Sequence, residues 1–277
     1  MDWSKAKSIL IVIFISLNLF LGVVLIRAIS EEGISQETID NVKKALLNRG
    51  VVVNSEIPLY NKKTGTLPYR DESIDKLGIF ENFLDIEKEV LNRDYKDKNQ
   101  IEIEGKKIIF QNSDKFIYKD KNLSDNISVN KNSEEVFDNL KFLFEGTDIP
   151  VSEFEFDKKE DESTYMFRQK YNDFWIFENY ISVRMSKEGV AYLECRYRKT
   201  DDIIQGNEIL SAYQVLIKNH ENIKDIEIIA IDLGFKEHII EDGTMELNDI
   251  PVWRVRTSNK EEMFFRVYDG EKVTSQN

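Results

Sequence analysis

The run from Ile9 to Ile26 constrains this chain more than any other stretch. It holds 18 residues, is broken only by Ser16, Asn18 and Gly22, and contains no charged side chain. At about 1.5 Å rise per residue such a run makes roughly 27 Å of helix, close to the ~30 Å hydrocarbon core of a bilayer. A segment this apolar must bury its surface in lipid or inside a large protein, and its place next to the first residues makes lipid the expected partner. A cleaved signal peptide is the competing reading. Its apolar region is about 7–15 residues long and ends at a small-residue cleavage site. Here the run is longer and passes into Leu25-Ile26-Arg27-Ala28-Ile29 without a small-x-small pair, which favours an uncleaved anchor.

Flanking charge sets the expected orientation. Lys5 and Lys7 precede the run, whereas Arg27 follows it and is succeeded by Glu31 and Glu32. Lys and Arg beside a first span favour retention on the cytoplasmic side, so the N-terminus is expected inside and the residues after about 28 outside. Trp3 falls at the membrane edge, where an indole anchors at the head-group level. Within the run, Asn18 asks for an explanation, because a side-chain amide in hydrocarbon costs free energy unless it finds a partner. One reading is a lateral hydrogen bond to another membrane helix, with Ser16 and Gly22 allowing close approach. The other is a polar residue tolerated in a simple tether. Both remain open at this level.

Composition narrows the function classes. The chain carries −13 formally, and residues 1–27 hold Asp2 against Lys5, Lys7 and Arg27, so the remaining 250 residues carry −15. That argues against nucleic acid and anionic lipid head groups as partners of the outer part, since both need a basic surface. With 41% hydrophobic residues the outer part can build a sizeable core as one large or two ordinary domains. Cys195 is the single cysteine, so no internal disulfide exists and stability must come from packing. Its place in an alternating run, Tyr192 to Arg198, makes it a buried small hydrophobe.

Hydrophobic spacing gives the elements. Ser35 is a good N-cap before Ile39, Val42 and Leu46 at helical spacing, with Gly50 beyond the end. Val51–Val53 reads as a strand. A second helix is expected over Ile79–Leu91, with Phe83, Ile86 and Val90 on one face. Residues 101–104 and 106–110 alternate about Gly105 as a hairpin, and Phe116–Tyr118 adds a short strand. The polar stretch Lys119–Asn132 is the expected boundary between lobes. Beyond it Ser133 is the expected cap of a helix with Val136, Phe137, Leu140, Leu143 and Phe144. Strands are expected at 151–156, 164–171, 174–185 and 190–198. Asn207 is the expected cap of a helix carrying Ile209, Ala212, Tyr213, Leu216 and Ile217, followed by strands at 226–235, 250–256 and 263–268. The expectation is an α+β fold: an N-terminal membrane segment (1–30), then two outer lobes (31–125 and 126–277) of helices packed on antiparallel sheets.

Catalytic constellations are mostly absent. His220 and His238 fall in different elements, and with the lone cysteine they cannot make an ordinary structural zinc site. There is no G-x-S-x-G, P-loop or G-x-G-x-x-G. The 51 carboxylates leave a paired-carboxylate hydrolase open by count, but Glu153–Glu155–Asp157 and Glu160–Asp161–Glu162 read as a strand's solvent face running into a charged turn. Trp175 and Trp253 lie in apolar strands, where core packing is the default.

One resemblance bears on these residues. Met1-Asp2-Trp3-Ser4-Lys5-Ala6-Lys7, running straight into an Ile/Phe/Leu span that contains Asn18, resembles the start of the YycI family. The segments from Gln169-Lys170-Tyr171 through Ile181-Ser182-Val183, and from Ala212-Tyr213 through Pro251-Val252-Trp253-Arg254-Val255, are similar to its outer domain. YycI proteins are single-span membrane accessories of the YycF/YycG (WalR/WalK) two-component system of low-GC Gram-positive bacteria, and their outer part is similar to later domains of the sister protein YycH. The resemblance implies a protein without catalysis or cofactor. It would sit beside a sensor histidine kinase and tune it through transmembrane-helix contacts, together with a YycH-like partner outside. The positions that carry over are those of the span, above all Asn18. The rival roles are a tethered outer module that binds a wall fragment, peptide or lipoprotein, and an anchored wall hydrolase.

Overall fold

The computed structural model describes residues 3–31, 36–60, 62–87, 89–90, 95, 97–123, 131–204, 206–239 and 245–273. The chain forms two compact units. The smaller takes residues 1–61, 210–231 and 256–261, and the larger takes 62–209, 232–255 and 262–277.

In the smaller unit, helix α1 (Trp3–Glu31) carries the apolar run. Helix α2 (Gln36–Leu47) buries Ile39, Val42 and Leu46, the three positions that its spacing marks. Gly50 then turns the chain at φ 82. Strand β1 (Val52–Val53) follows and runs parallel to the start of β10 (Glu227–Ile239), with Val52 opposite Glu227. Helix α5 (Ala212–Lys218) packs against α2. Its cap is Ser211 rather than Asn207: the Ser211 N–H donates to Gln214 Oε1 at 2.9 Å. A Ser-x-x-Gln pair satisfies orphan N–H groups reciprocally, and that advantage places the start of the helix four residues beyond the expected cap.

The larger unit holds helices α3 (Lys76–Leu84) and α4 (Ser133–Leu143). Its strands are β2 (Leu67–Pro68), β3 (Gln100–Ile103), β4 (Lys106–Phe110), β5 (Lys115–Asp120), β6 (Phe154–Lys159), β7 (Thr164–Tyr171), β8 (Phe174–Met185), β9 (Val190–Arg196), most of β11 (Met245–Thr257), β12 (Glu262–Arg266) and β13 (Lys272–Val273), with the later part of β10. They follow the order β13-β12-β11-β10-β8-β9-β5-β4-β3, with β2 on β11 and β6–β7 on β8. The β3–β4 hairpin turns at Glu104 (φ 49) and Gly105 (φ 84), the two left-handed positions that such a tight turn demands.

The sheet is mixed, which corrects the expectation of antiparallel sheets. Strand β10 runs parallel to β8, with Gly234 opposite Trp175 and Phe235 opposite Ile176. The chain leaves the sheet after β9 and returns as β10 beside the first half of β8, while the second half pairs antiparallel with β9. A Cβ at Gly234 would stand 2.3 Å from the Trp175 carbonyl oxygen, so this close approach requires glycine. Strand β5 pairs with β9, Phe116 opposite Cys195. Strands from before and after the polar Lys119–Asn132 stretch therefore share one sheet; of that stretch, residues 124–130 lie outside the described residues.

Local chemistry adjusts several boundaries. Asp75 caps α3 by accepting from the Leu77 N–H at 3.1 Å. The helix stops at Asp85, which is left-handed at φ 55, ψ 48, well short of the expected Leu91. Asn132, rather than Ser133, caps α4, its Oδ1 accepting from the Glu134 N–H at 3.3 Å. Residues 151–153 form a 3-10 turn, and β6 begins only at Phe154.

The largest core joins α3 and α4 to strands β3–β5 and β7–β9. Phe83 is its keystone, with ring centroids 5.5 Å from Phe116, 5.3 Å from Tyr118 and 5.1 Å from Phe144, all edge-on. Truncating a fully buried Phe removes transfer free energy and leaves a cavity. Phe83→Ala is expected to destabilise the chain by about 3–5 kcal/mol, whereas Phe142→Ala, 80% exposed on the adjoining helix, stays within about 0.5 kcal/mol. Denaturant midpoints of the two variants check this.

Candidate functional site

The positions singled out in the sequence begin on α1. Leu10 to Leu21 present large apolar side chains on every side of the helix, from 47% exposed at Ile11 to 70% at Leu10. A helix apolar all round needs a nonaqueous surrounding. Described side chains on this helix are Trp3, Lys7 and Leu10–Gly22, and among the described residues no helix is long and apolar enough to cross a membrane. The side chains of Lys5 and Arg27 lie outside the described ones. Trp3 and Lys7 are exposed.

Helical geometry separates the three span candidates. Asn18 and Gly22 stand four residues apart on one face, whereas Ser16 lies about 200° round the helix from Asn18. The Asn18 Nδ2 donates to the Phe14 carbonyl one turn earlier at 2.8 Å. That bond occupies one of the amide's two N–H groups, and an amide also offers a carbonyl oxygen with two acceptor sites. A Cβ built at Gly22 meets nothing within 4 Å, so the backbone there stays open to close approach.

The larger unit contains two charge networks that the sequence reading missed. The first centres on Arg254, whose side chain is 0% exposed, as is that of its partner Asp157. Arg254 grips Asp157 with both terminal nitrogens, at 2.7 and 2.8 Å. It also reaches Asp232 at 2.9 Å and Glu262 at 3.3 Å. Arg168 joins through its Nε to Asp157 at 2.9 Å, and its Nη1 donates to the Phe177 carbonyl. Lys158 donates to Glu262 at 3.0 Å. The Arg254 guanidinium lies 4.8 Å from the Phe177 ring centroid. Burial pulls the Arg254 pKa down, but the Asp157 carboxylate overcomes it and holds the group above the ordinary arginine range. Three cations meet three anions here, so the network is balanced.

Asp157 corrects the reading of Glu153–Glu155–Asp157 as one solvent face. The β6–β7 register shifts between Phe156 and Lys158. Phe156, opposite Phe167 and edge-on to its ring at 5.8 Å, is 41% exposed, whereas Asp157 is buried against Arg168 and Arg254. In the charged turn, Asp161 does behave as read: it accepts from the Ser163 and Thr164 N–H groups at 2.7 and 2.8 Å, which together with the neighbouring hydroxyls brings its pKa down to about 2.

The second network joins Arg196 to Asp114, Glu178 and Glu237 at 2.8–2.9 Å, Lys236 to Glu178 at 2.8 Å, and Arg198 to Asp249 at 2.6 Å. Both networks meet at one irregularity. The β7–β8 register jumps so that Arg168 faces Tyr180 while Gln169 faces Ile176. Residues 177–179 bulge out: Phe177 receives Arg168, Glu178 receives Arg196 and Lys236, and Asn179 donates to the Arg198 carbonyl at 2.7 Å.

The remaining chemical candidates are quiet. Cys195 is fully buried, and burial pushes its thiol well up, which disfavours the reactive thiolate. His220 Nδ1 lies 2.9 Å from the Ile217 carbonyl at the end of α5, whereas His238 is on β10. Among the described residues no group of three or more His, Cys, Asp or Glu could hold a metal ion. Trp253 is fully buried, as expected, whereas Trp175 is partly buried beneath Lys170, at 4.5 Å.

The chain belongs to the YycI family, whose model, described as YycI protein, matches residues 29–269. Membership ties the chain to the YycFG regulatory system. The match starts just beyond the apolar run and takes in most of both units. No curated protein matches the sequence. Among solved structures, the chain is similar to one described as an uncharacterized protein from Eubacterium rectale ATCC 33656, at a TM-score of 0.48 and 16% identity, over 86% of this chain and 99% of that one.

The second network makes a pH prediction. Burial raises the Asp249 pKa from 3.8 to about 6 despite Arg198, with Glu178 and Glu237 pushing the same way. The folded state therefore binds this proton more tightly than the unfolded chain does. Its stabilising contribution is complete below about pH 4 and is lost as pH rises through about 6. Asp249→Asn removes that dependence. The stability difference between variant and parent is expected to move in favour of Asn by on the order of 3 kcal/mol between pH 4 and pH 7, read from unfolding midpoints across that range.

Proposed function

We propose that this chain is a non-enzymatic, membrane-anchored regulator of a YycG/WalK-like sensor histidine kinase, acting through contacts between α1 and the kinase's transmembrane helices and through an outer YycH-like partner. Family membership over residues 29–269 carries the reading. The apolar run Ile9–Ile26 on one continuous helix supports an anchor in the cell membrane of a Gram-positive bacterium, with Lys5 and Lys7 on the cytoplasmic side and the units after about residue 28 outside. The Trp3 indole and Arg27 mark the two edges. The system it serves concerns cell-wall homeostasis.

An accessory shifts a kinase only by binding one signalling state better than the other. A ratio of about ten between the two affinities moves the equilibrium by roughly 1.4 kcal/mol. The uncommitted amide capacity of Asn18, beside the open backbone at Gly22, is where a rotation or shift of a neighbouring helix alters the fit. Interhelical hydrogen bonds of this kind contribute roughly 0.6–2 kcal/mol.

Replacing Ile9–Ile26 with an unrelated apolar span of equal length is expected to abolish control of a kinase-dependent reporter while the outer units keep their circular dichroism. Normal control by that chimera would falsify the span-contact mechanism. Asn18→Leu is expected to weaken association with the kinase roughly three- to thirtyfold, measured by co-purification at graded expression; equal recovery counts against a role for the amide.

A further inference from the structure

The ends of α3 and α4 enclose an open cleft of about 690 Å³ in the larger unit, within the size range of ligand sites. Its charge is far more one-sided than that of either network. Among the described residues, Glu81, Asp85, Glu87 and Glu145 line it against a single cation, Lys106. These carboxylates also stand where helices disfavour them. Glu81 and Asp85 end α3, which has no basic residue in its last turn, and Glu145 follows α4. The C-terminal end of a helix carries partial negative charge from its unpaired carbonyls, so carboxylates there are destabilising and cations are favoured. The Lys141 ammonium in the last turn of α4 is engaged elsewhere, with Asp138 at 3.2 Å and over the Phe137 ring at 4.6 Å. Among the described residues, two helix ends and four carboxylates thus face one space with one compensating charge.

The arrangement selects among cations. No three carboxylates converge as metal ligands among the described residues, so the charge is spread along the cleft and does not focus on one point. Phe142, 80% exposed, stands on its wall beside half-buried Leu143, and Ile86 is half-buried opposite. An aromatic ring left in water beside an acidic cleft fits a ligand that is basic and apolar at once. The volume exceeds that of a single Lys or Arg side chain.

We infer that this cleft docks a basic amphipathic segment of a protein partner, its Lys or Arg side chains against Glu81, Asp85, Glu87 and Glu145 and an apolar side chain on Phe142. The inference stands on the larger unit alone and does not depend on the span contacts proposed above.

A fluorescein-labelled ten-residue peptide of alternating Arg and Leu serves as the probe. It is titrated by anisotropy against the full chain in phosphatidylcholine nanodiscs, with empty nanodiscs subtracted. The triple variant Asp85→Asn, Glu87→Gln, Glu145→Gln is expected to weaken binding at least tenfold, and Phe142→Ser at least threefold. A control triple of equal charge change outside the cleft, Asp173→Asn, Glu188→Gln, Glu208→Gln, is expected to stay within twofold. Circular dichroism and unfolding midpoints confirm that all variants fold; these positions are surface groups. Equal weakening by the two triples would show diffuse attraction to an acidic protein and overturn the inference. So would unchanged binding by Phe142→Ser, or equal affinity for a Glu-Leu peptide.

Discussion

The fork between Arg254 and Asp157 is the interaction on which the larger unit depends. Both side chains are wholly withdrawn from water. Through Asp232, Glu262 and Arg168 the pair ties β11 to β10, β12, β6 and β7. Removing one member of a buried pair leaves an uncompensated charge, at a cost of about 3–5 kcal/mol. Forming the pair gives little net stability over well-packed apolar groups, because desolvation offsets the attraction. Its consequence is register. Asp157 reaches Arg254 only because β6 is bulged between Phe156 and Lys158, and Arg168 finds the Phe177 carbonyl only because β8 is displaced over 177–179. A slip of one residue in either strand would bury an unpaired charge, so the alternatives are penalised heavily.

Charge balance separates the structural polar groups from the candidate binding ones. Around Arg254 three cations meet three anions among the described residues, and around Arg196 and Arg198 three cations meet four anions, close to balance. At the cleft between α3 and α4, four carboxylates and two helix ends meet one lysine among the described residues. An interior that neutralises its charges is self-sufficient. A surface hollow that concentrates one sign lowers the stability of the free protein and is relieved by a ligand of the opposite sign.

The first helix poses a different physical problem. Its exposed apolar side chains cover every side, so its surroundings, rather than its amphipathicity, determine where it goes. Within it, Asn18 already satisfies part of its amide on the Phe14 carbonyl, which reduces the cost of placing it in hydrocarbon. The group can therefore persist without a partner helix and still gain from one, as a contact that is made in one state and released in another requires.

The sequence by itself determined what short-range periodicity encodes. The buried face of α2, the β3–β4 turn at Gly105, strands β7 and β8 to the residue, the burial of Cys195 and Trp253, and the apolar run all follow from spacings of two or 3.6 residues and from local turn chemistry. The family was legible from the resemblance of short segments, not from their periodicity. Tertiary structure alone decided the rest. Strand β10 returns parallel to β8 because the chain comes back on the side where Gly234 allows close approach. Asp157 is buried because Arg168 and Arg254, distant in the chain, converge on it. The acidic cleft exists because the ends of α3 and α4, far apart in the chain, pack over β4 and β5. In each case the deciding quantity is a register or a long-range contact, whose free energy belongs to two distant segments together and leaves no periodic trace in either one.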